Sequence, residues 1–144
     1  MQAIVFWPNS DAGSEDVACG IRRFKELQKD LDLFRFIINL PPEDFILLMN
    51  HAKCLIGNSS SFIREGTFLG TPVVNIGSRQ SGRERGENVV DVPVNKENIY
   101  QAIQSQLQHG RYPQNYLFGK GGSGKKISKI LEECEVNIQK KINY

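Results

Sequence analysis

The sequence predicts an α/β protein built on a Rossmann-like, doubly wound parallel sheet. Two observations carry that expectation. Short apolar runs recur at residues 3–7, 33–38, 54–56, 73–76 and 88–92, with stretches of helical character between most of them. Polar turns rich in Ser, Asn and Gly follow several of these runs, where open α/β sheets place their ligands.

Residues 3–7 are the first strand, ended by Pro8. A strand so close to Met1 suggests a fragment from inside a longer protein. The turn Pro8-Asn-Ser-Asp-Ala-Gly-Ser14 follows, and Ser14 is expected to cap a helix whose Glu15 and Asp16 suit its positive end. Val17, Ile21, Phe24 and Leu27 recur at helical spacing and are expected to face the sheet. The turn has no G-x-G-x-x-G, so a dinucleotide site of the usual kind is not supported; a plain polar turn and a ligand loop containing Asn9 stand level. The second strand, residues 33–38, leads through Asn39 and Leu40 to two prolines that forbid helix before Glu43. Residues 45–49 are apolar nearly all round, as in a helix wedged between neighbours.

The stretch 55–88 organises the rest. An apolar run ends at Gly57 and Asn58, and Ser59, Ser60 and Ser61 supply N-cap chemistry for a helix running to about Leu69. Such a helix start gathers unpaired N–H groups and the positive end of the macrodipole, which suits the phosphates of a nucleoside diphosphate. Glu65 lies too far along for a capping box and, at ~3.6 residues per turn, shares a face with Ser61 and Asn58. Its carboxylate could accept from the two hydroxyls of a ribose, or could simply be solvated beside Arg64. Gly70-Thr-Pro stops the helix, and residues 73–76 restart as a buried strand. Residues 77–88 are then a polar surface loop in which Arg79, Arg83 and Arg85 offer forked, permanent charges for phosphate. Disordered RNA-binding segments also place arginines between glycines, but as long repeats that are missing here.

Pro93 and Asn95 introduce a helix bearing Ile99, Ile103 and Leu107 on one face, closed by Gly110, and a last helix is expected from Lys126 to about Lys140. Before it, Gly119-Lys-Gly-Gly-Ser-Gly-Lys-Lys126 imitates a P-loop. Lys126 replaces the hydroxyl that would hold magnesium, and no hydrophobic strand precedes it, so ATP binding is set aside.

Composition narrows the partners. The 144 residues are expected to form one domain, long enough to bury ~68 to 70% of the unfolded surface in a single core. Eighteen Lys and Arg against 16 Asp and Glu give net +2, which disfavours nucleic acid. Cys19, Cys54 and Cys134 are far apart and odd in number, as suits reduced thiols in a cytoplasmic protein without disulfides. His51 and His109 fall at expected helix ends with no partner at ligand spacing, so neither a metal nor another cofactor is expected. No run approaches the ~20 apolar residues that span a bilayer, so no membrane association is expected.

The runs Ile56-Gly-Asn-Ser-Ser, Arg64-Glu65, Gly70-Thr-Pro-Val-Val-Asn-Ile-Gly, Arg79-Gln80 and Gly82-Arg83-Glu84 with Gly86-Glu-Asn-Val together resemble the C-terminal half of UDP-N-acetylglucosamine 2-epimerases. They resemble the hydrolysing branch, which releases UDP and N-acetylmannosamine for sialic acid synthesis, more than the non-hydrolysing branch, whose Asp-Ser-Gly-Gly turn and Thr-Glu-Arg-Pro-Glu loop do not occur here. The resemblance implies that residues 1–144 are one lobe, the C-terminal UDP-binding one, of a two-lobed glycosyltransferase B type fold. It implies that Ser59 and Ser60 touch phosphate, Glu65 binds ribose, Arg79 neutralises the diphosphate or contacts the sugar side, and Asn9, Leu40 and the neighbouring Asn39 line the nucleotide. Asn39 departs from the His of relatives, which backbone recognition at Leu40 would tolerate. Phe118-Gly-Lys-Gly121 matches a Tyr-Gly-Asp-Gly turn with Lys for Asp.

The resemblance further implies a UDP-sugar substrate, a missing N-terminal lobe that holds the catalytic residues, and a dimer or tetramer as the parent. No catalytic residue is therefore assigned here. Glu15 and Cys19 replace basic residues with which vertebrate members bind a CMP-sialic acid inhibitor, so that regulation is expected to be absent. Two other readings remain: the donor lobe of a glycosyltransferase, and a stand-alone, non-enzymatic nucleotide-binding domain.

Overall fold

A computed structural model describes residues 1–10, 13–28 and 30–135. Where length alone predicts a single core, the chain divides into two compact units, Met1–Ala52 and Lys53–Tyr144. All strand pairing is parallel and helices join most of the strands, so the α/β class is as expected.

In the first unit β1 (Ala3–Phe6) pairs with β2 (Phe34–Ile37), Ala3 opposite Phe34 and Phe6 opposite Ile37. The helix between them, α1 (Ser14–Leu27), has Gly13 as its N-cap; Ser14 is the first helical residue and caps nothing, contrary to expectation. Ile21 and Phe24 are half-buried, Phe24 meeting the Phe34 ring edge-on at 5.1 Å, whereas Val17 and Leu27 are exposed. The reason is length: four-residue strands run ~13 Å and cannot cover the four apolar positions of a fourteen-residue helix ~21 Å long. Helix α2 (Pro42–His51) begins at Pro42 itself, not after it, because an N1 proline lacks only an N–H that would be unpaired anyway. Met49 is buried and Phe45 packs edge-on against Phe6 at 5.4 Å, but Ile46 and Leu47 are exposed, so α2 is apolar on its outer side as well.

The second unit has strand order β3 (Leu55–Gly57), β4 (Val73–Ile76), β5 (Val89–Val92). Flanked on both edges, β4 buries Val73, Val74 and Asn75 completely. Helix α3 (Ser60–Leu69) crosses from β3 to β4, buries Ile63, Gly66 and Thr67, and ends at Gly70 in the left-handed conformation. Only glycine fits there, since a Cβ would strike the Tyr112 carbonyl. Residues 77–88 join β4 to β5 without a helix. Helix α4 (Lys96–His109) is capped by Asn95, whose side chain accepts from the Asn98 N–H at 3.0 Å, and it packs Ala102, Ile99 and Ile103 on Val74 and Val92. Helix α5 (Ser123–Glu133) starts three residues earlier than expected and stops at Glu133; beyond residue 135 the expected extension lies outside the described residues. It buries no residue.

A polar network ties these elements together. Gln106, 1% exposed, donates from Nε2 to the Val73 and Asn88 carbonyls at 3.0 Å each and accepts the Tyr112 hydroxyl at 2.9 Å. Asn88 donates to the Thr71 carbonyl at 2.7 Å and accepts from the Thr67 hydroxyl at 3.0 Å. Neither buried amide leaves an atom unmatched.

Candidate functional site

In the second unit the chemistry gathers at the carboxyl ends of β3 and β4. Gly57, at φ 145°, holds a conformation that side chains rarely adopt, and it turns the chain out of β3 into Asn58 and Ser59. Ser59 is the N-cap of α3, but its hydroxyl does not cap the helix. Among the described residues the hydroxyls of Ser59, Ser60 and Ser61 make no hydrogen bond to protein, although all three side chains are half-buried. The first turn of α3 carries no acidic residue to offset the dipole. The Phe62 N–H donates to the Ser59 carbonyl at 3.2 Å, and the remaining first-turn amides, three available hydroxyls and a positive helix end have the chemistry that suits an anion.

The loop after β4 closes on this turn. Gln80 donates from Nε2 to the Asn58 carbonyl at 2.8 Å, and Arg79 donates to the same oxygen at 3.2 Å. The three arginines of the loop differ in role. Arg85 faces inward, donating to the Gln80 carbonyl at 2.8 Å and to the Arg83 carbonyl. It also lies 2.6 Å from Asp91, an ion pair whose N–H is not aligned on the carboxylate and which therefore acts through charge. Asp91 in turn accepts from Asn75 Nδ2 at 2.6 Å. Arg85 thus shapes the loop and is not a phosphate donor, whereas Arg79 and Arg83 are exposed.

Glu65 is half-buried, not a solvated neighbour of Arg64, and its Oε2 is enclosed without a donor. Gln80 Oε1 and Asn75 Oδ1 are likewise buried acceptors without donors. Gln80 and Asn75 stand in the runs that carry the family resemblance, but the sequence assigns neither a role. Asn75 interrupts an apolar strand, which was a usable signal; Gln80, between Arg79 and Ser81, looks solvated in sequence yet is 2% exposed.

In the first unit Asn9 is exposed in the loop after β1, and Asn39 and Leu40 follow β2, its parallel neighbour. Asn39 Oδ1 accepts from the Leu40 N–H at 2.9 Å. A base held at Leu40 would therefore use the carbonyl, which suits the N3–H of uracil, or displace Asn39. A shallow cleft of about 350 Å³ between α1 and the strands is lined by Val5, Val17, Ile21, Phe24, Phe34 and Phe36. It holds no convergent polar groups and is not a nucleotide site by its chemistry.

All three cysteines are free thiols. Burial pushes the Cys54 thiol up to about 11, partly offset by a backbone hydrogen bond from Val74, so it is no nucleophile at neutral pH. Among the described residues no three metal-ligating side chains converge, and no helix is long and apolar enough to cross a membrane.

Comparison with known proteins gives these features a family. The sequence profile described as UDP-N-acetylglucosamine 2-epimerase matches residues 1–132. The UDP-N-acetylglucosamine 2-epimerase of Neisseria meningitidis serogroup B is 30% identical over 129 residues, 90% of this chain and 33% of that protein. The UDP-N,N'-diacetylbacillosamine 2-epimerase (hydrolyzing) of Legionella pneumophila is 30% identical over 139 residues, 96% of this chain and 36% of its own length. The GDP/UDP-N,N'-diacetylbacillosamine 2-epimerase (hydrolyzing) of Campylobacter jejuni is 37% identical over 113 residues, 77% of this chain and 29% of its own length. The chain thus spans about a third of the relatives it matches. It belongs to the UDP-N-acetylglucosamine 2-epimerase family, and its parallel α/β architecture is that of a lobe of the two-lobed glycosyltransferase B type fold.

Proposed function

We propose that the chain is the UDP-binding lobe of a hydrolysing UDP-N-acetylglucosamine 2-epimerase. The observation that carries the reading is the start of α3, where Ser59, Ser60 and Ser61 leave their hydroxyls and the helix amides available beside Arg79. Two of the relatives named above carry "hydrolyzing" in their descriptions, which supports the branch. Their sugar is a diacetylated bacillosamine, so the substrate class is a UDP-linked 2-acetamido sugar whose remaining substituents are open.

In the proposed reaction a base removes the proton at C2 of the sugar and the C1–O bond breaks, its electron pair leaving with UDP. Water then adds across the resulting double bond, oxygen at C1 and a proton at C2 on the other face. The β-phosphate gains negative charge as C1–O cleaves, so donors fixed in advance at the α3 N-terminus stabilise the transition state more than the ground state. Ser59 and Ser60 would donate to phosphate and Arg79 would neutralise it. Glu65, half-buried on α3, would accept from a ribose hydroxyl through its other carboxylate oxygen, since Oε2 is enclosed. Asn9, Asn39 and Leu40 would serve the nucleoside. Proton transfer at C2 is assigned to no residue here and falls to the additional length of the relatives, as does assembly into an oligomer.

Titration calorimetry with UDP tests the reading. Binding is expected, weakened about tenfold by Ser60→Ala or Glu65→Ala, as for a lost hydrogen bond to a charged group. Equal affinity in both variants would remove the site assignment.

A further inference from the structure

We propose that Gln80 is a positioning residue for the anion site: by gripping the Asn58 carbonyl it sets the direction of the Ser59 amide and hence the opening of α3. The proposal rests on the nucleotide reading above. The peptide joining Asn58 to Ser59 is trans and planar, so its N–H points opposite to its carbonyl. Holding the carbonyl from the loop side therefore aims the Ser59 N–H away from the loop. That peptide turns about ψ of Asn58 and φ of Ser59, both single bonds outside the helix, and the hydrogen bond from Gln80 restrains it from outside the turn.

Two side chains reach the carbonyl, and their surroundings decide which one holds it. Arg79 is exposed and its bond, at 3.2 Å, competes with water. Gln80 is enclosed and its bond is 2.8 Å, in a setting where the dielectric is low and the bond correspondingly strong. The amide end of Gln80 is also unambiguous, because a carbonyl can only accept and must face Nε2. That orientation leaves Oε1 buried without a donor, an unfavourable arrangement that a methionine of similar size would avoid. The side chain is at this position for its donor, not for its bulk. Arg85, on the Gln80 backbone carbonyl, fixes the residue from the other side.

The test measures UDP and uridine affinity of the whole chain by ligand-observed NMR, and follows the Ser59 amide in nitrogen-labelled protein, for wild type, Gln80→Met and Gln80→Glu. The first variant removes the donor at similar volume, and the second replaces it by an acceptor at nearly unchanged shape. The ratio of UDP to uridine affinity is expected to fall about tenfold in Gln80→Met and at least as far in Gln80→Glu, with the Ser59 amide resonance shifted in both. General destabilisation would weaken both ligands alike and leave the ratio unmoved. UDP binding by wild type with an unchanged ratio in the folded variants would overturn the proposal alone. Failure of wild type to bind UDP would overturn the nucleotide reading and the proposal with it.

Discussion

Two polar networks in the second unit invite comparison. Behind α4, Gln106, Asn88, Thr67, Thr71 and Tyr112 close on one another, and neither buried amide is left with an unmatched atom. At the carboxyl ends of β3 and β4, Gln80 and Asn75 each use their nitrogen and leave their oxygen enclosed without a donor, and Glu65 on α3 leaves Oε2 in the same condition. The first network closes within the fold; the second carries enclosed, unmatched oxygens as a cost, which in the proposed reading accompanies the grip of Gln80 on the serine turn. Completeness of hydrogen bonding, more than burial, separates the two networks.

Substitutions can break or sharpen that contrast. Gln106→Leu strands two backbone carbonyls and a tyrosine hydroxyl, so it is expected to lower the unfolding free energy by about 3 to 5 kcal/mol in urea titration. Asn75→Leu removes one bond to the half-exposed Asp91 together with one unmatched oxygen, and should cost about 1 kcal/mol or less. If the two cost the same, the distinction fails.

Cys54 supplies the smallest effect. Its thiol is pushed by burial from 9.0 to about 11 in the folded chain, so the folded state holds the proton more tightly than the unfolded one. That contribution is complete below pH 9 and is lost as pH rises towards 11. Tyr112 shifts in the same direction, through burial first and the charges of Cys54 and Glu87 second. Cys54→Ala should therefore flatten the alkaline fall in melting temperature between those limits, leaving the part due to Tyr112. An identical slope in the variant would show that Cys54 is hydrated.

How much was legible beforehand follows from the range of each interaction. The alternation of strands and helices, the Asn95 cap and the serine turn are local patterns, and they were readable from spacing and turn chemistry. Pro42 opening α2 was legible too, through the N1 preference, but the prolines were read only as a barrier to helix. The closed network could not be seen, because Gln106 meets partners 33 and 18 positions away and glutamine at a helical position looks solvated. Gln80 was hidden for the same reason, its partner lying 22 residues earlier. Composition alone does not distinguish the three loop arginines, whereas folding turns Arg85 inward onto Asp91.

The inward turn of Arg85 has a consequence for how the molecule can vary. With residues 83–85 tied to Gln80 and Asp91, and Gln80 tied to the Asn58 carbonyl, strain introduced at the loop's tip has a direct path to the serine turn. Gly82 has open space around it, but at φ 77° it holds a conformation that other residues adopt only with strain. Foreign sequence grafted at that point should therefore disturb the turn, whereas a fluorophore carried on an exposed neighbour such as Ser81 should sense ligand arrival through the same connection.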